Sequence, residues 1–161
     1  MGHTSNTHPR GAPLQPLNPL ATTLSVSNVS FVAQVPDWIP DLIRQAVDLA
    51  YDHQGFSFIR VLQRCPKYTQ KLFSDIMGDK EALEILHHEN GLKPSEKVMA
   101  KYPNVAEHDP SNMLEAMRYA TDLGKIPVGV LYRNENVPCY DEIMAPPETT
   151  AELRSEMLNR E

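Results

Sequence analysis

The sequence predicts an α/β fold with parallel strands and flanking helices, and three observations carry that prediction. Residues 29–35, VSFVAQV, and residues 56–63, FSFIRVLQ, are short runs dense in β-branched and aromatic residues, the composition of buried strands. Between them Trp38, Leu42, Ile43, Ala46, Val47, Leu49 and Ala50 recur at helical spacing as one broad apolar face. A third apolar, β-branched run, IPVGVLYR at 126–133, follows a second helical stretch and a glycine.

The first unit reads in order. Asp37 is the expected N-cap, Pro40 fits the first helical turn where its missing N–H costs nothing, and Gly55 ends the helix after Tyr51. A strand, one helix of about four turns and a second strand should close as a right-handed crossover with parallel strands. Ligands in such sheets favour the carboxyl edge. The residues that follow the second strand, Gln63, Arg64, Cys65 and Pro66, are therefore expected at the edge where chemistry is usually placed.

Residues 67–108 are less regular. Short helices are expected near Lys80–Leu86 and Pro94–Ala100, separated by Gly78, Gly91, Pro94 and Pro103. Asp109 with Pro110 then opens a cleaner helix whose apolar face holds Leu114, Met117, Tyr119 and Ala120, and Gly124 stops it. Residues 1–28 carry Pro9, Pro13, Pro16 and Pro19 among many Ser, Thr and Asn residues, so an extended, loop-like region is expected there. Thr149–Asn159 reads as a tail helix of mixed charge.

Length and charge narrow the function classes. A chain of 161 residues is ample for one core and short for two. No apolar run approaches the roughly 20 residues of a membrane span. The start MGHTSNTHPRG has neither a basic leader nor an apolar stretch, and Asn6 stands where a myristoylation signal needs Ser or Thr, so a cytoplasmic protein is expected. The net charge of −6, with Lys and Arg scattered, argues against nucleic-acid and anionic-membrane partners. His87, His88 and Glu89 invite a metal reading, but adjacent helical side chains diverge by about 100° and do not converge on one ion. A solvated helix end is the expectation for them, and capping explains Asp109 beside His108.

Three segments, in order, resemble the carboxy-terminal part of the β subunit of 2-oxoacid:ferredoxin oxidoreductases, which are thiamine-diphosphate enzymes. QGFSFIRVLQRCPKY, Gln54–Tyr68, is similar to the strand of that subunit that ends in a Cys-Pro or Cys-rich turn. IPVGVLYRNENVPCYDE, Ile126–Glu142, is similar to the closing strand and its Tyr-Arg … Pro-x-Tyr hook. GHTSNTHP, Gly2–Pro9, resembles a loop of the type GQxSPTxP, with Gly2, Ser5, Thr7 and Pro9 matching and His3 and Asn6 departing.

The resemblance implies a domain plan: an extended loop region at 1–28, the strand–helix–strand end of a thiamine-diphosphate-binding domain at 29–66, a carboxy-terminal extension of the β subunit at 67–145 and a tail helix at 146–161. It implies oxidative decarboxylation of a 2-oxoacid, of the 2-oxoglutarate or pyruvate type, to an acyl-CoA with electrons passed to ferredoxin. An α subunit, ferredoxin, the 2-oxoacid and coenzyme A are the implied partners, in a hetero-oligomer. Gly2, His3, Ser5 and Thr7 would lie in a loop near thiamine diphosphate. Cys65 and Pro66 would lie at an active-site or subunit edge, although free cysteines are commonly small buried hydrophobes. Tyr132, Arg133 and Tyr140 would form an interface with a neighbouring subunit, against the plainer reading that Tyr132 packs on the sheet and Arg133 is solvated.

The GDG turn that supplies Mg²⁺ ligands in the family occurs nowhere in the 161 residues, and two cysteines, Cys65 and Cys139, do not complete a four-thiolate cluster. The resemblance therefore implies that the ligands of Mg²⁺–thiamine diphosphate and of the iron–sulfur cluster lie outside this chain. Because the likeness to an internal loop starts one residue after Met1, a truncated or split gene product is expected. The alternative is a non-catalytic assembly or binding protein that kept the fold without the cofactor motif.

Overall fold

The computed structural model describes residues 4, 8–11, 13, 14, 16–67 and 73–144. The elements run α1 (Pro19–Leu24), β1 (Phe31–Pro36), α2 (Pro40–Asp52), β2 (Ser57–Leu62), α3 (Ser74–Gly78), β3 (Leu83–His87), α4 (Glu96–Lys101), β4 (Val105–Glu107), α5 (Met113–Thr121), β5 (Ile126–Arg133) and α6 (Tyr140–Met144). The five strands form one sheet in the order β2-β1-β5-β3-β4. The expected α/β architecture is present, and the expected crossover pairs β1 with β2 in parallel, Phe31 opposite Ser57 through Pro36 opposite Leu62.

The sheet has two directions. β3 runs parallel to both β4 and β5, but β5 lies antiparallel against β1 with a register shift at Val32/Ala33. The carboxyl ends of β1 and β2 therefore share an edge with the amino ends of β3, β4 and β5. Segments on either side of residue 66 contribute to this one sheet, because β5 inserts between β1 and β3.

Alternation of side chains along the strands builds two cores. On one face Phe31, Ala33 and Val35 of β1 meet Leu42 and Ala46 of α2, Leu83 and Ile85 of β3, and Val128 and Val130 of β5. On the other, Val32, Leu86 and Leu131 pack under α1 and α5 through Leu20, Leu24, Ala116 and Tyr119.

Several elements differ from the sequence expectation. Residues 80–86 do not form a helix: Leu83 and Ile85 are buried with Glu84 between them, a period of two that makes β3 a strand. Short β4 pairs with it. The N-cap of α2 is Ile39, without a side-chain cap, and Asp37 precedes the helix. Asp109 sits in a turn, and the cap of α5 is Asn112, whose Oδ1 accepts from the N–H groups of Leu114 and Glu115. Leu114 is exposed rather than on the apolar face of α5. Part of the 1–28 region is a packed helix: Asn18 caps α1, Pro19 opens it, and Leu20 and Leu24 are buried. The tail helix expected at Thr149–Asn159 lies outside the described residues.

Candidate functional site

The two directions of the sheet separate the candidate residues. Cys65 and Pro66 follow Leu62 at the carboxyl edge of β1 and β2, where Asp37 N–H donates to Leu62 O at 3.0 Å. Cys65 is half-buried, Pro66 is exposed, and neither Cys65 nor Cys139 is in a disulfide. Arg133 lies opposite Phe31, at the amino end of β1, so the Tyr132–Tyr140 segment and Cys65 occupy opposite edges. Tyr132 is buried in the α1/α5-side core, and Asn134 Nδ2 donates to its hydroxyl at 3.2 Å. Tyr140 is exposed on α6. Gly2, His3, Ser5 and Thr7 lie outside the described residues.

Polar side chains line cavities at the edge that holds Arg133. Two adjoining cavities of about 420 and 410 Å³ share Asn90, Gly91 and Arg133. Gln45 and Asp48 of α2 wall the first, and His88, Asp109, Ser111 and Glu135 wall the second. Gln45 pins the intervening loop by reciprocal bonds with Lys93, accepting its N–H at 2.7 Å and donating to its carbonyl at 3.1 Å. Arg133 Nε donates to Glu135 Oε1. The other oxygen of Glu135 lies 3.3 Å from Nδ1 of the fully buried His53. That contact falls outside hydrogen-bond geometry, and His53 Nδ1 is buried without a hydrogen-bond partner. Glu135 thus stands between the Arg133 guanidinium and the buried His53 imidazole.

His87, His88 and Glu89 occupy the end of β3 and the following turn rather than a helix. His87 Nδ1 lies 3.0 Å from Glu107 Oε1 across the strand pair, an exposed contact of little stabilising value. His108 is buried: its Nε2 bonds Leu131 O at 2.7 Å, and its ring meets Tyr119 edge-on. Among the described residues no group of three or more His, Cys, Asp and Glu side chains is arranged to hold a metal ion.

Sequence reasoning missed Glu135, His53 and Asn90, because their meeting depends on the antiparallel placement of β5. It also missed why Asp109 matters here. The Ser111 hydroxyl and N–H both donate to Asp109 Oδ1, at 2.8 and 2.9 Å, and hold that carboxyl below the usual carboxylate range. A depressed carboxyl contributes stability above its unfolded pKa and loses it as the pH falls through the folded value. Ser111→Ala is expected to raise the titration midpoint of Asp109, read by side-chain carbon NMR across pH. An unmoved midpoint would show that the Ser111 hydroxyl is not the cause.

With the geometry in place, comparison with known proteins adds a family. Residues 78–148, from α3 through β5 and α6, match the family described as the C-terminal part of the pyruvate ferredoxin oxidoreductase β subunit. The chain is 28% identical over 126 residues to the β subunit of a 2-oxoacid:ferredoxin oxidoreductase from a Sulfolobus species, covering 78% of this chain and 38% of that one. It is 27% identical over 130 residues to the same subunit from Saccharolobus solfataricus, covering 80% of this chain and 39% of that one. The chain thus spans about two fifths of the length of the relatives it matches. In fold it is similar to the 2-oxoglutarate:ferredoxin oxidoreductase of Magnetococcus marinus, solved with 2-oxoglutarate, coenzyme A and succinyl-CoA bound, at a TM-score of 0.65 and 22% identity over 99% of this chain and 50% of that one. By these likenesses, then, this chain is similar to the carboxy-terminal part of the 2-oxoacid:ferredoxin oxidoreductase β subunits.

Proposed function

We propose that this chain serves as the carboxy-terminal portion of a 2-oxoacid:ferredoxin oxidoreductase β subunit. The whole enzyme would decarboxylate a 2-oxoacid of the 2-oxoglutarate or pyruvate type with thiamine diphosphate, pass electrons to ferredoxin and form an acyl-CoA. The observation that carries the reading is the family match over 78–148, which takes in β3, β4, α5 and β5.

In this reading residues 29–66 end the cofactor-binding domain and residues 67–145 form the extension of the β subunit. Cys65 and Pro66 face an active-site or subunit junction, while Arg133 and the exposed Tyr140 offer contacts to an α subunit. Gly2, His3, Ser5 and Thr7 approach the diphosphate. A Mg²⁺–diphosphate group needs hard oxygen ligands in near-octahedral array, and the described residues present no such cluster. They do not fit that group, and no catalytic step is assigned to them. The reading assigns the cofactor and cluster ligands to the rest of the complex.

The test is reconstitution. The purified chain, mixed with the missing portion of the β subunit and with the α subunit of such an enzyme, is expected to co-elute with them and restore 2-oxoacid-dependent dye reduction. Failure of both sinks the reading. The absence of a GDG turn favours a second one, a non-catalytic assembly protein. That reading predicts complex formation with no dependence on thiamine diphosphate, and Mg²⁺-dependent binding of the cofactor by the chain alone would end it.

A further inference from the structure

The two ends of the sheet are guarded unequally. β4 closes one end with three residues, Glu107 among them, the short and charged build that keeps an edge from pairing. β2 closes the other end with six residues, SFIRVL, that hold no proline and pair with β1 in unbroken register. Phe58, Ile59, Val61 and Leu62 give it the apolar run of a strand with neighbours on both sides. Its one charge, Arg60, is half-buried rather than displayed along the edge.

The hydrogen bonds to β1 fix which backbone groups face outward. Phe31 N–H donates to Phe56 O, and Asp37 N–H to Leu62 O, both at 3.0 Å. In a parallel ladder the N–H and C=O of one residue point to the same neighbour, and successive residues point opposite ways. Phe56, Phe58, Arg60 and Leu62 therefore turn their backbone groups to β1, while Ser57, Ile59 and Val61 turn theirs outward. Among the described residues no strand pairs with that side. α2 carries an apolar stripe above the same edge. Gln45 reaches the loop at Lys93 from one flank of the helix. Val47 stands about 160° around from it, on the flank of β2, where Ser57 Oγ donates to Ala50 O at 3.2 Å. Val47 and, one turn on, Tyr51 are 50% and 87% exposed, and Val61 is exposed below them.

We propose that the free edge of β2 is a docking surface for an extended segment from the rest of a β subunit, which joins the five-stranded sheet as a further strand. Main-chain bonds to Ser57, Ile59 and Val61 hold the segment, and its apolar side chains, at alternate positions, cover Val47 and Tyr51 of α2. The occupant follows from length. The chain spans 38% and 39% of two relatives, and its family match is to the C-terminal part of the subunit, so most of such a subunit is polypeptide that this sheet does not contain. The proposal rests on the reading of the chain as a portion of a β subunit and adds to it the surface through which the two portions meet.

The experiment co-expresses the 161-residue chain with the portion of a 2-oxoacid:ferredoxin oxidoreductase β subunit that precedes its carboxy-terminal part, and follows amide hydrogen exchange by NMR. The amides of Ser57, Ile59 and Val61 should exchange fast in the chain alone and about a hundredfold slower in the complex. The outward amides of β4, Val105 and Glu107, should not change. Val61→Pro removes an outward N–H without touching the pairing to β1 and should weaken association about tenfold or more. Val61→Lys sets a charge on the edge and should weaken it as well. Val105→Pro, at the other edge, should leave association unchanged. The exchange comparison on the unaltered chain stands even where a variant does not fold. A complex whose Ser57, Ile59 and Val61 amides stay fast overturns the docking surface and leaves the proposed function in place. Slowing of the same amides in the chain alone as its concentration rises makes a second copy the occupant, and overturns the proposal too. No complex with that portion also overturns it, and dye reduction with the α subunit added then decides the underlying reading separately.

Discussion

Phe31→Ala is expected to remove about 3–5 kcal/mol of folding stability. Phe31 is fully buried at the start of β1. It packs into the core that joins β1 to α2, β3 and β5, and its ring lies 5.5 Å from that of His53. Truncation loses the transfer of the ring from water and leaves a cavity that close-packed neighbours refill only in part. A domain of this size has a total stability of about 5–15 kcal/mol, so the loss is a large share of it. With urea slopes of about 1–3 kcal/mol per molar, the unfolding midpoint should fall by at least about 1 M at unchanged slope. Phe31→Leu keeps most of the volume and should cost much less. If the alanine variant loses under about 1 kcal/mol, the ring does not fill the core as described.

How far the sequence discloses such a core depends on whether local and tertiary signals agree. At β5 they agree: IPVGVLYR is read as a strand from composition, and the strand occupies the same eight residues. The β1–α2–β2 unit is equally legible, down to its parallel pairing. At β3 they conflict. Lys80, Glu81, Ala82, Leu83 and Glu84 favour helix by propensity, but burial of Leu83 and Ile85 between β5 and β4 stabilises the strand more than propensity opposes it. The two Asx residues ahead of α5, Asp109 and Asn112, are both competent caps, and only the path of the chain decides between them. In the prolines before α1, composition conceals a helix whose one face is covered by α5.

The candidate site is less legible for a different reason. Cys65 is placed correctly at the carboxyl edge of β2 by local rules alone. Its separation from Arg133 follows from β5 running against β1, a fact no single segment encodes. The contact of Glu135 with His53 and the pairing of Gln34 with Arg60 and Pro127 likewise join residues from different elements. Sequence reading finds residue types suited to chemistry, while the sheet order decides which of them meet.

Gly129→Ala is the second large effect expected, and its sign distinguishes it from an ordinary glycine replacement. Replacing glycine by alanine stabilises by about 0.4–1 kcal/mol where the backbone can accept it, because the unfolded chain loses freedom. Gly129 lies mid-strand in β5 with φ of +144°, a conformation L residues rarely adopt. A Cβ there would stand 2.9 Å from the Cβ of Leu86 and 3.0 Å from the Leu86 carbonyl oxygen. Strained backbone of this kind costs about 1–3 kcal/mol by itself. The clash adds to it, because a strand carbonyl and a Cβ cannot swing aside as a side-chain tip can. The expected loss is about 3 kcal/mol or more in urea unfolding. Gly78→Ala is the control: nothing lies within 4 Å of a Cβ there, and the helix end should tolerate or favour alanine. Should Gly129→Ala behave like that control, the close approach of β5 to β3 is wrong. If the loss appears as expected, the cause reaches beyond one contact, since β5 alone joins the β1–β2 pair to the β3–β4 pair, and forcing it away from Leu86 loosens both cores together.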